Sequence, residues 1–325
     1  MTKPTMDDLI KMLMTGKSSA SAPASAQAEA STDKGIKIMA FVEAGQTVTS
    51  DIPLHIKGPV GADAVIHVKG GGVLIDGEVG DHARITVEDS VRTETISVGG
   101  GTITVSGSSK VSVTINGQKF ETKGSDKPQG IRIKGQTGKD VALNSDADIT
   151  IDGDTGTHLA LTAGRDVVTA AVGASSQLNI GRDATLRTIF DDVSVRVARD
   201  LDVKSTKSGC VLKVGRDMDL GDAQNVTFEA GRDATIGTLG IQARGNARDI
   251  TANKVGDDAE LKASRDFTAA VVGAGSTINA GRDATVTQLG EKASLIAARD
   301  ITVKSAHRLA NVRANRNVNV TRHYS

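Results

Sequence analysis

"TINAGRDATVTQLGEKASLIAARDITVKS", residues 277–305, states one motif twice: a small residue, then Arg, then Asp, then an apolar residue, Thr and an apolar residue. Arg282-Asp283 and Arg299-Asp300 stand 17 residues apart. The Asp recurs at Asp148, Asp166, Asp183, Asp200, Asp217, Asp233, Asp249, Asp266, Asp283 and Asp300, with Asn317 in the same place once more, and every step is 16 to 18 residues. A period this short and regular is the mark of identical units stacked in one dimension.

Alignment on that Asp shows what each unit buries. One residue after it stand Ile149, Val167, Ala184, Leu201, Met218, Ala234, Ile250, Phe267, Ala284, Ile301 and Val318. Apolar columns also fall three residues after it, as at Leu186 and Val203, six after it, as at Val172 and Ile189, and five before it, as at Leu161 and Leu178. Residues two apart on a strand share a face, so these columns describe three short strands per unit. No helix fits in so short a unit, and an antiparallel meander would not hold equivalent residues at a constant offset. The fold expected is all-β: a three-sided parallel β-helix of ~17-residue coils, taken as right-handed. The absence of Trp and the presence of only five Phe and one Tyr agree with a narrow interior filled by aliphatic ladders.

Gly164, Gly181, Gly215, Gly231 and Gly281, or Ala198, Ala247 and Ala298, precede the Arg and mark a sharp corner. The Arg and Asp lie outside the core columns. A bare stack of Asp at this rise would repel by about 1 kcal/mol per neighbouring pair in water, and an adjacent Arg stack offsets it. Carboxylates at turns also accept backbone N–H bonds. The pair is therefore read as a self-neutralised corner ladder. One coil departs from the pattern: in "QARGNARD", residues 242–249, the core slots fall on Arg244 and Asn246.

The rest of the chain divides into three. Residues 1–17 contain an amphipathic helix signature over 5–16, with Thr5 and Asp8 as a capping box and Met6, Leu9, Ile10, Leu13 and Met14 on one face. So short a helix is unstable alone, so this face is expected to dock on a protein partner, in preference to a membrane because Asp7 and Asp8 oppose anionic lipid. Residues 18–34 read as an Ala/Ser-rich disordered linker. Residues 35–125 read as an N-terminal β region, either β-helix or β-rich cap, and 126–325 as the regular solenoid array. Within the former, Asn116-Gly117 suits a hairpin turn, and residues 123–138 read as an excursion or boundary.

Lys plus Arg equals Asp plus Glu at 39 each, so the overall balance draws in neither nucleic acid nor an anionic membrane. The lone Cys210 forms no intramolecular disulfide and fits a reducing compartment as a buried, inert thiol. Asp7, Asp8 and Lys11 interrupt what would be the apolar core of a signal peptide, so a bacterial cytoplasmic location is expected. The six His lack ligand spacing, an Arg beside every Asp would compete with calcium, and no coil gathers acids with His and aromatics. No catalytic residue, metal, cofactor, small-molecule substrate or specific nucleic acid is expected.

The AGRDATV and AARDITV units look like the haemagglutinin-type repeats of large filamentous adhesins over residues 140–320. The overall plan, a β-helix over residues 35–320 between short tails, resembles bactofilins. That resemblance implies a cytoplasmic scaffold that polymerises into filaments and holds other proteins, often at the membrane; no residue is carried over from it. The last coil, "ANVRANRNVNV", is expected to leave an open strand edge for end-on stacking, with Asn315, Asn317, Val318, Asn319 and Val320 as a polar cap or as the stacking surface. The function expected is a non-enzymatic scaffold or filament subunit. An adhesin-like or tail-fibre-like component and a polysaccharide-active enzyme are the alternatives.

Overall fold

Stacking begins with which residues pair. In the computed structural model, Ile149 lies in register on Val167, Val167 on Ala184, Ala184 on Leu201, and the same column runs on to Ile301 and Val318. Every one of these pairings is parallel. The chain is a parallel β-solenoid, with one long sheet of 16 strands and a second of 14. The structure describes residues 31–33, 35–88 and 129–325, together with four strands between 93 and 121. The expected helix over 5–16, its face of Met6, Leu9, Ile10, Leu13 and Met14, and the linker lie outside the described residues.

The second sheet carries its own core column, in which Leu161, Leu178, Val195, Leu212 and Phe228 stack in turn. The third side is made where strands of the first sheet bend. In Val167–Val172 the pairing follows Val168 and Thr169, skips one residue and resumes at Ala171 and Val172, so Val172 points inward from a new face. Nearer the start the same side is reduced to single parallel bridges between Val42, Val60, Val79, Thr137 and Thr155. The interior of all three sides is one continuous apolar cluster, from Met39 to Ala306. Burying a Val, Leu or Ile in such a column contributes about 1.5–3 kcal/mol.

The coil extends back beyond the Arg-Asp motif. Lys37 pairs with Leu54, Leu54 with Val73, and Val73 with Ile131, all in parallel. Likewise Arg84–Glu88 pairs with Ala142–Ser145. Between residues 88 and 129 the chain therefore leaves the stack at a corner and rejoins it at the next strand, Ile131–Ile133. Inside this excursion two antiparallel hairpins form, Thr93–Val98 with Gly101–Ser106 and Ser112–Ile115 with Gln118–Glu121. The second spans the expected Asn116-Gly117 turn, whose two residues lie outside the described ones.

The irregular coil corrects the sequence reading. Arg244 and Asn246 are exposed, and Gly245 takes the core slot in register with Phe228. The reason is size. A Cβ on Gly245 would stand 2.1 Å from Cε1 of the Phe228 ring, so the ring already fills this slot from the coil before. One corner residue is also missing, since Ala247 is in the strand and is followed at once by Arg248 and Asp249. That deletion displaced the sequence alignment by one position.

Candidate functional site

Three features of the surface carry polar chemistry: the Arg-Asp corner, a second corner with a left-handed residue in most coils, and the last coil. At the first, the Arg of each coil reaches the Asp of the coil before. Arg165 meets Asp148 at 2.9 Å, Arg199 meets Asp183 at 2.7 Å and Arg248 meets Asp233 at 2.8 Å. Arg182, Arg232, Arg282 and Arg316 close on Asp166, Asp217, Asp266 and Asp300 in the same way. Along most of the column the Asp carboxylate also accepts the backbone N–H of the next Asp, for example Asp183 N–H on Asp166 Oδ1 at 3.2 Å and Asp266 N–H on Asp249 Oδ1 at 3.1 Å, whereas the Asp249 N–H donates to the Arg232 carbonyl at 3.3 Å. The side-chain hydrogen bond from the next Arg is the largest cause holding Asp166, Asp217 and Asp266 below the usual carboxylate range. For Asp300, Arg316 brings the value to about 2. The ladder consumes its own charge and serves as a structural seam.

The second corner holds non-glycine residues at positive φ in successive coils, among them Asp63, His82, Asp140, His158, Ser175 and Asp192, all between 55° and 57°. Glycine takes the place at Gly45, Gly209 and Gly275. Asp and His here alternate along the stack: His82 lies 3.8 Å from Asp63 and 3.5 Å from Asp140, and His158 lies 3.2 Å from Asp140. Two further His pair with acids, His55 with Asp76 at 2.7 Å and His67 with Glu88 at 2.9 Å. Lys134, first, and then His55 hold the Asp76 carboxyl down. Sequence reading missed these pairs because each joins residues from different coils in a region without the Arg-Asp marker. Among the described residues no group of three or more His, Cys, Asp or Glu is placed to hold a metal ion. Cys210 is 1% exposed, and burial, the largest cause, pushes its thiol pKa up.

The last coil holds the residues expected to form the polymer interface. Asn315 is exposed at the corner, and the others lie in the strand Asn317–Tyr324, which pairs on Asp300–His307. Asn317 replaces the ladder Asp and donates from Nδ2 to Asp300 Oδ1 at 2.9 Å. Asn319 continues an outward column above Thr302, while Val318 and Val320 continue the core columns. Val318 is 47% exposed, and Val312, Ala314 and Val320 are partly buried against the core. At the other end Met39, Val42 and Val48 are at most 4% exposed, and the strand Ser31–Asp33 pairs antiparallel on Ile36–Met39. Among the described residues, the strand Ser31–Asp33 covers the first sheet at its start, and no strand pairs on the outer side of Asn311–Ala314 or Asn317–Tyr324. None of the described helices or strands includes a helix long and apolar enough to cross a membrane.

No protein-family model, curated protein or solved structure matches the chain.

Proposed function

We propose that this protein is a non-enzymatic structural rod, a bactofilin-like scaffold that assembles end to end and recruits a partner through its N-terminal peptide. The observation that carries the reading is the bare last coil, with Val318, Val320, Val312 and Ala314 at the end of the core columns and the strands Asn311–Ala314 and Asn317–Tyr324 unpaired on their outer side among the described residues. Unpaired strand edges over an apolar core are a template for pairing with another chain. The occupant is a second copy.

Charge favours the start of that copy. Residues 301–325 carry Lys304, Arg308, Arg313, Arg316 and Arg322 without one Asp or Glu, whereas the opening coils carry Glu43, Asp51, Asp63, Asp76, Glu78 and Asp81 against Lys37, Lys57 and Lys69. A basic end facing an acidic end orients association. The strand Ser31–Asp33 covers the first sheet at its start, but Thr47–Ser50 leads the second sheet with no partner on its outer side among the described residues, so Asn311–Ala314 has a strand to extend.

Sedimentation velocity and negative-stain microscopy test the reading. Expected are rods that lengthen with concentration, and single rods when Val318 and Val320 are both replaced by Lys. Wild-type protein that stays a single rod at every concentration overturns it. Deleting residues 1–17 should leave assembly unchanged and abolish recruitment.

A further inference from the structure

On the third side of the last three coils lies a groove of about 630 Å³, lined by Thr287, Gln288, Lys304, Ser305, Arg322 and Tyr324 among others. Its two cations are neighbours: Arg322 lies in register on Ser305, the residue after Lys304. Along the Arg-Asp corner an Arg is answered by a carboxylate one coil away, as with Arg316 on Asp300. Here, among the described residues, neither Lys304 nor Arg322 is in an ion pair.

The walls are fixed. The Tyr324 hydroxyl donates to the carbonyl of Leu289 at 2.9 Å, two coils down, and its ring meets His307 edge to face at 5.4 Å between centroids. This holds the only tyrosine of the chain across one end of the groove.

We propose that this groove binds a phosphomonoester with a hydroxylated body, such as a phosphorylated sugar. Arg322 supplies the planar fork and Lys304 the point charge for the phosphoryl oxygens, and together they match a dianion. Thr287, Gln288 and Ser305 offer hydroxyl and amide groups to the body of the ligand, in a volume of the size that small-molecule sites use. The inference is independent of end-to-end assembly, because every residue named belongs to one chain.

Isothermal titration of the full chain with ribose 5-phosphate, inorganic phosphate and ribose tests it. One ribose 5-phosphate per chain is expected, with Lys304→Gln and Arg322→Gln each weakening binding about tenfold. Arg313→Gln, which removes an equal charge from the second sheet, should change it by less than about twofold. Equal affinity for inorganic phosphate supports the oxyanion seat and names free phosphate as the ligand. Three results overturn the proposal: no binding of either phosphate probe, binding of ribose as tight as of its phosphate, or equal weakening by Arg313→Gln, which would mean diffuse attraction to the basic end. Thermal unfolding of each variant confirms that the coil is intact.

Discussion

Asp266 shows what a single residue does in this fold. Its carboxylate takes the side chain of Arg282 and the backbone N–H of Asp283, both from the coil above. Half-exposed ion pairs contribute up to about 1 kcal/mol each, but among the described residues the backbone N–H of Asp283 has no partner other than the Asp266 carboxylate. Because the folded pKa values of Asp166, Asp217, Asp266 and Asp300 are depressed, the stabilisation is complete above the unfolded value of about 3.9. It is lost as pH falls through the folded values, toward about 2 for Asp300. Asp266→Asn keeps the acceptor and removes the charge, so its melting temperature should fall below wild type at neutral pH and converge with it near pH 2 in a titration followed by circular dichroism. A constant offset at every pH would show that the charge contributes nothing. Phe228 and Gly245 make the second residue-scale case: Gly245→Ala drives a methyl into the ring and should cost about 1–3 kcal/mol. Adding Phe228→Leu should return part of that loss, a non-additive pair measurable by denaturant titration.

At the scale of the element, the excursion between 88 and 129 is separable from the coil. Other corners join the second sheet to the first in three residues, as residues 146–148 do between Ala142–Ser145 and Ile149–Asp154. Joining Glu88 directly to Gln129 leaves Glu88, Gln129 and Gly130 between Val87 and Ile131, the same number. Deleting residues 89–128 should therefore leave a folded solenoid with a melting temperature within a few degrees of wild type; loss of cooperative unfolding would show that the hairpins brace the stack. The difference between the two regions also explains what could be seen beforehand. From Asp148 onward each coil is labelled by its Arg and Asp, because a corner column of acids needs a matching column of bases, and the core columns could be counted from that label. Before it the marker is weaker, a Val or Thr followed by Gly at 60–61, 79–80 and 137–138, on steps lengthened by the excursion. The same dependence on counting misplaced Arg244 and Asn246, since one deleted corner residue puts every side chain counted back across it from Asp249 on the opposite face. The His–carboxylate pairs and the groove of Lys304 and Arg322 were invisible for another reason. They join residues in different coils, and linear spacing gives no sign of which outward side chains lack an opposite charge.

For the whole molecule, the strand pairing of each coil is with its immediate neighbours, so stability is approximately a sum of coil terms and interface terms. An internal coil is held from both sides and a terminal coil from one. The strand Ser31–Asp33 partly restores the missing side at the start, where Met39 and Val48 stay buried. Beyond its backbone ladder the last coil is tied down by the Tyr324 hydroxyl bond to Leu289, the Asn317 and Arg316 bonds to Asp300 and the Asn311 bond to Ser294, all from one side. Opening should therefore begin there. Hydrogen exchange followed by mass spectrometry on dilute protein should find the amides of Asn311–Ala314 and Asn317–Tyr324 exchanging orders of magnitude faster than those of Ala184–Ile189, because local opening needs only the terminal interface to break. Concentration then separates fraying from assembly. If a second copy completes the edge, protection of these two strands and of Thr47–Ser50 must rise together as the protein is concentrated, while the middle coils stay unchanged. Protection that rises in the last coil alone would place the second copy's last coil against it, a two-fold pairing of like-charged ends. Protection that is flat in both would leave the apolar end in water and remove the ground for a filament.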